Sequence, residues 1–465
     1  MLGTQLAQLH GSAPTGLADA DDVVAGFDGA LLRGFARVGE ADATALTALA
    51  GAVAGTPLGE RVAEAVGKVT AGSVGQEHLA ALAGARTALL GATHDALTAR
   101  FDAALGRDRT AWTAPAGEPA DGSPARAAAR SWLHETALAG WRGVDHELLS
   151  AVGTPVEAAL AEPGARRLAV LLDGLAAELR AGLPVATMAQ PPVRRWADLW
   201  ARGVLLAQDG PAPDAAADAG RVTGRLLPLG VDVHEHETAV QVQLHAILEP
   251  TDAGTPRLVR VTVGAAKVAT IGGPAVWRLL SAYPVLLTAI AQRRALTVTD
   301  LPAYGGDLHW VDERAQAGEP ADPFATARVL LGTATAAATA PLDRHPAAIA
   351  EPVLLEGYTV HDGGATVDLD GQRLAVALDR LPAGGPLTPA LVAASSSCLG
   401  LVRFDGGRWL VQPLAVQAAV KRRPVEAHNG DWADGVTDPK VAKAEARAGD
   451  AVAVLRERAG RLLRR

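Results

Sequence analysis

Asp232, His234 and His236 stand at alternate positions in Pro228-Leu229-Gly230-Val231-Asp232-Val233-His234-Glu235-His236, where residues able to hold a metal crowd together at a defined spacing. In an extended strand, side chains two residues apart share a face at about 6.5 to 7 Å. A carboxylate and two imidazoles so placed could converge on one divalent cation with bonds of about 2.0 to 2.2 Å. The chemistry would be that of a metal-dependent hydrolase, completed by a carboxylate or imidazole from elsewhere, such as His361 or Asp362. The other chemistry-bearing runs are incomplete. Ser395-Ser396-Ser397-Cys398 has no Gly-x-Ser-x-Gly elbow around it, and Cys398 reads as a small buried hydrophobe. Trp132-Leu133-His134-Glu135 and Asp145-His146-Glu147 lack the second His of a zincin helix. Neither a Gly-Lys-Ser/Thr phosphate loop nor a Gly-x-Gly-x-x-Gly turn occurs.

The three ligand candidates converge only if the strand that carries them is regular. Its apolar face is odd-numbered at Val231 and Val233 but even-numbered from Val240 through Val242, Leu244, Ala246 and Leu248. The pleat must therefore slip between them, which predicts a bulge or turn over residues 234–238 with solvated side chains. Period-2 alternation marks the whole region after residue 220. Hairpins are expected at 240–263 around Asp252 to Pro256, at 367–378 around Asp370-Gly371, and at 401–411 around Asp405-Gly406-Gly407. The stretch 274–294 reads as helix, kinked or divided at Pro284.

The first half is helical by period. Leu79, Leu82, Leu89, Leu90, Leu97, Phe101 and Leu105 line one stripe, and a second helical set follows a Pro/Gly-rich stretch at 106–126. Within it, Glu162-Pro163-Gly164 breaks the chain before a helix at 165–183. Trp196 and Trp200 sit one turn apart in the helix that follows, forming either an aromatic partner platform or the packed face of a helix. The expected class is α+β: an all-helical N-terminal half followed by an antiparallel α+β C-terminal half. The expected divisions are helical sections at 1–105 and 127–220, a linker at 106–126, an α+β domain at 221–420, then a loop and a basic C-terminal helix at 421–465.

The 465 residues carry a net charge of −8, so the body lacks the basic footprint of a nucleic-acid binder. The 38 Arg against five Lys reflect the coding bias of a GC-rich genome more than phosphate recognition. Residues 440–465 are the exception, with eight basic and three acidic residues. There Arg456, Arg458 and Arg461 suit either a docking helix for an acidic partner or for nucleic acid, or a helix with cations at its negative end. One cysteine excludes an intramolecular disulfide, and no apolar run of membrane-spanning length or secretory leader is visible, which together read as cytoplasmic.

Two resemblances bear on function. Gly230-Val231-Asp232-Val233-His234-Glu235-His236 resembles the first-strand metal turn of amidohydrolases, which implies His234 and His236 as ligands. That family also needs a carboxylated Lys and later His and Asp ligands on parallel strands. The only Lys between the motif and Lys421 is Lys267, and antiparallel hairpins follow. Arg195 to Arg202, Arg225 to Pro250 and Leu399 to Pro413 resemble parts of actinobacterial proteins encoded beside a MoxR-type AAA+ ATPase, a von Willebrand A (VWA) protein and a SWIM zinc-finger protein. This resemblance implies a non-catalytic accessory or adaptor role with a protein partner such as the ATPase or the VWA protein. It identifies no catalytic residue, and no cofactor is expected beyond a divalent metal at Asp232, His234 and His236.

Overall fold

The computed structural model describes residues 1–11, 14–113, 122–208, 220–252 and 254–462. The chain is α+β, with helices through residue 206 and antiparallel-dominated sheets after it. Local chemistry sets the helix ends. Ser123 accepts the Arg126 amide at 3.2 Å just ahead of Pro124, and Gly106 ends the 30-residue helix Gln76–Leu105 at a φ of 65°.

Leu79 and Leu82 from the first helical section share a single core with Trp132, Leu172, Trp196 and Trp200 from the second. The two sections are thus one packed unit. The helix Gln76–Leu105, about 45 Å long by its rise, is long enough to serve two cores. Its C-terminal turns send Leu97, Phe101 and Ala104 into a different cluster, with Leu6, Leu9 and strands of the second sheet. Packing therefore runs across residue 105 without a break. The expected linker continues this, because Arg107 is buried, while residues 114–121 lie outside the described set.

The strands β1 (Gly220–Glu235), β2 (Ala239–Pro250), β3 (Arg257–Ala266), β4 (Arg294–Tyr304), β5 (Asp307–Leu308) and β6 (Ala315–Pro320) form the first sheet. Its order is β1-β2-β3-β5-β4-β6, and β4 also pairs with β1, so five strands close into a small barrel. Only β3 and β5 pair in parallel. Leu226, Val231, Val242, Leu244, Val261 and Leu296 share one core with Trp277, Leu287 and Ile290 from the connection between β3 and β4. As expected, Pro284 divides that connection, opening the helix Pro284–Ala291.

Pairing explains the change of parity around His236. Val231 faces Leu244 and Val233 faces Val242, so an odd-numbered face on β1 meets an even-numbered face on β2 across the hairpin. The expected turn is confined to residues 236–238, where the His236 amide donates to the Ala239 carbonyl at 2.8 Å. His234 and Glu235 stay in regular strand. The one slip in this ladder lies between Pro228 and Gly230. There the backbone passes so close to the second sheet that a Cβ on Gly230 would stand 2.8 Å from the Leu414 Cβ.

The second sheet contains β7 (Glu351–Glu356), β8 (Thr359–His361), β9 (Thr366–Leu369), β10 (Gln372–Val376), β11 (Ser395–Asp405), β12 (Arg408–Val420) and β13 (Arg423–His428). Its order is β7-β11-β12-β10-β9-β8, with β13 on β12. The expected turns at Asp370-Gly371 and Gly406-Gly407 have positive φ at both positions, as a tight two-residue hairpin needs. The segment 421–437, expected to be loop, instead contains β13. Lys421 and Arg422 adopt the same positive-φ turn, at 51° and 64°, without the Gly or Asn that usually announces it. One face of this sheet meets Phe101, while Leu354, Leu399 and Ala415 pack against Leu227, Leu229 and Ile247 outside the barrel.

The tail, expected as one helix from Val441 to Arg464, is two helices, Pro439–Ala448 and Ala451–Leu462, parted by Gly449 at a φ of 79°. Arg278 holds both, with Glu445 at 3.0 Å and Asp450 at 3.3 Å. Among the described residues, no helix is long and apolar enough to cross a membrane.

Candidate functional site

Because Val231 and Val233 point into the barrel, Asp232 and His234 point outward, and the closed barrel presses Asp232 onto β11 and β12. The Arg403 Nη2 donates to Asp232 Oδ2 at 2.6 Å, and the Gln412 Nε2 donates to Asp232 Oδ1 at 2.7 Å. The Arg403 Nε also donates to Gln412 Oε1 at 2.6 Å. His234 Nε2 lies 2.8 Å from Asp232 Oδ2. The pair is buried, with 2% of the Asp232 side chain and 8% of the Arg403 side chain exposed. Burial acts to raise the Asp232 carboxyl, but the hydrogen bond and charge of His234, with Arg403 and Gln412, outweigh it and hold the group well below the usual carboxylate range. Burial pulls the Arg403 guanidinium below its usual value, yet it stays a cation.

The structure thus brings Asp232 and His234 together, but not as a pair of open ligands. Asp232 is engaged at both oxygens, and a divalent cation there would sit beside a guanidinium. His236 is in the exposed turn. His361, at the end of β8, lies 3.3 Å from the Thr359 hydroxyl, and Asp362 follows it in a short 3-10 turn of the second sheet's connection. Among the described residues, no group of three or more His, Cys, Asp or Glu is placed to hold a metal ion. Lys267 is committed as well: its ammonium donates to the Ile271 carbonyl at 2.8 Å and pairs with Glu235 at 3.3 Å.

A second buried cluster joins the helical half to the sheets. Glu351, at the start of β7, accepts from Arg109 at 2.9 Å and Arg107 at 3.1 Å, and Arg109 also grips Asp102 at 2.6 Å. Burial opposes the Glu351 charge, but the two guanidiniums keep its carboxyl below the ordinary value. Next to this cluster, His245 on β2 is wholly buried and its Nε2 has no hydrogen-bond partner in the structure. Burial pushes its imidazole down to about 3, so it is neutral near pH 7. Neither cluster is written as a local motif, since the partners are up to 249 positions apart, as between Asp102 and Glu351.

Trp196 and Trp200, offered above as a partner platform, are core residues, only 1% and 0% exposed. Trp200 donates to the Leu133 carbonyl at 2.9 Å, and Trp196 meets Trp141 edge-on at 6.3 Å. The helix turns this face inward over a buried pair, Arg86 with Asp28 at 2.6 Å. In the tail, Arg456 donates to the Arg278 carbonyl at 2.7 Å, Arg458 is exposed, and the Arg461 side chain lies outside the described set. Cys398 is buried, its thiol pushed up to about 12 by loss of solvent. Ser395 bonds Tyr358 and the Val392 carbonyl, each at 2.6 Å.

Comparison with known protein families, with curated proteins and with solved structures finds no match to this chain.

Proposed function

We propose that the chain is a non-catalytic accessory or adaptor protein of the cytoplasm that works through a protein partner, a MoxR-type AAA+ ATPase or VWA protein. The observation that carries this reading is the fate of Asp232. The residue with the most ligand-like surroundings in sequence is spent on holding the barrel to the second sheet, by contacts with Arg403 and Gln412. Its neighbours in the motif follow suit, with His234 turned onto Asp232 and Glu235 onto Lys267.

The surface offers a place for a partner. The tail helices bury Val452 against the body and leave Val454 47% exposed beside exposed Arg458. An apolar residue next to a cation suits an acidic, partly apolar protein surface. The test is light scattering after size-exclusion chromatography of the purified chain mixed with a MoxR-type ATPase and with a VWA protein from its source organism. A stable complex, weakened in a Val454→Asp/Arg458→Glu variant of unchanged thermal stability, supports the proposal. No complex with either protein overturns the assignment of partner, and hydrolysis that requires His234 overturns the non-catalytic reading.

A further inference from the structure

The closed barrel has two ends, and they differ. At the end carrying the β1–β2 turn, the connection between β3 and β4 brings Trp277, Leu287 and Ile290 into the core. At the other end, where β1 and β3 begin and β2 and β4 finish, the barrel opens into a cleft of about 430 Å³. That volume falls within the range of small-molecule sites, roughly 300 to 1,000 Å³, and barrel mouths are a common place for them. The floor is apolar, made by Leu248, Val259 and Leu308 of the barrel core. One wall is aromatic: Trp112 reaches over from the helical half and meets Tyr304 edge-on, with ring centroids 5.8 Å apart.

Arg257 at the start of β3 stands on the rim. Three residues on, Arg260 is paired with Asp307 at 2.8 Å, whereas the Arg257 guanidinium has no hydrogen bond or ion pair among the described residues. Among the described residues no Asp or Glu lines the cleft, although the chain as a whole is acidic. A second cleft, of about 470 Å³ beside Trp409, is lined by Arg100, Arg373 and Arg408, but Arg100 is spent on the Leu9 and Gln8 carbonyls and Arg373 is largely in solvent.

We propose that the barrel mouth binds a flat aromatic carboxylate, its ring between the apolar floor and the Trp112–Tyr304 wall and its carboxylate paired with Arg257. An aromatic ring supplies area at little entropic cost and meets tryptophan and tyrosine in offset or edge-on geometry. Arginine matches a carboxylate with two parallel donors.

The test is isothermal titration of the full chain with 2-naphthoate and with neutral 2-naphthylmethanol. Both bind wild type, the acid about fivefold more tightly, as a partly solvated ion pair supports. Arg257→Gln removes that preference and leaves the alcohol unaffected. Ala303→Phe, which fills the mouth, and Trp112→Ala, which removes its wall, each weaken both ligands, with thermal unfolding showing that the variants remain folded. No binding of either probe to folded wild type overturns the proposal. So does binding that Arg257→Gln and Ala303→Phe leave unchanged.

Discussion

Arg403→Met is the most informative single change in the seam between barrel and sheet. The substitution keeps an unbranched side chain of similar length but removes the donors to Asp232 and Gln412, both at 2.6 Å. It leaves a carboxylate that is 2% exposed with only Gln412 and His234 to compensate it. Removing one partner of a buried ion pair costs about 3 to 5 kcal/mol, against a total stability of about 5 to 15 kcal/mol for a typical fold. Asp232→Leu should cost a similar amount, because it leaves the Arg403 cation buried and unpaired. The double variant should be less destabilised than the sum of the two by about 2 kcal/mol, since neither charge then remains. Urea unfolding followed by circular dichroism at pH 7 reads all four corners of this cycle. The sign with pH follows from Asp232 being held below its usual value: its contribution is fully present above about pH 4 and is lost as pH falls through the folded value. A loss under about 1 kcal/mol for Arg403→Met, or additivity within about 0.5 kcal/mol, would refute the assignment of this pair as a buried tie.

His245 predicts a second pH effect. Its folded-state value of about 3 lies below the ordinary value near 6.5, so the unfolded chain binds the extra proton in that window. Stability from this group is therefore fully present above about pH 6.5 and falls by about 1.4 kcal/mol per unit as pH drops towards 3. In His245→Gln, urea titrations between pH 4.5 and 6.5 should show a slope shallower by that amount, and an unchanged slope would remove His245 as its source. Trp200→Ala should cost about 3 to 5 kcal/mol in the same assay, as a fully buried tryptophan demands; a change of a few tenths would place that residue outside the core. Gly230→Val should cost about 1 to 3 kcal/mol, because its Cβ meets Leu414 at 2.8 Å, and a neutral result would mean that barrel and sheet can move apart there.

The helices and hairpins were legible because their signals are local. Leu79 to Phe101 repeat at helical spacing, and Asp370-Gly371 and Gly406-Gly407 supply the positive φ that their turns need. The turn at Lys421-Arg422 hid β13 because neither residue type advertises that conformation. Closure of the barrel was not legible, since it depends on Gly220 to Leu226 meeting Leu296 to Ala303, 70 to 83 positions later. Parity alone misread the region around His234, because an antiparallel register changes odd to even across a turn just as a slipped pleat does. The Asp232 seam was half visible: its acid and imidazole are neighbours in sequence, whereas Arg403 is 171 positions away. Trp196 and Trp200 had the right spacing for either a platform or a core face, and only the packing of Trp141 and Leu133 against them decides.

The most direct test of the central claim combines metal content by mass spectrometry with urea stability, on untagged protein purified without chelator, for wild type, His234→Ala/His236→Ala and Asp232→Asn. The expected result is no stoichiometric metal in any of the three and a loss of stability concentrated in Asp232→Asn. One metal ion per wild-type chain, lost in the double histidine variant, would contradict it and make the strand a metal centre.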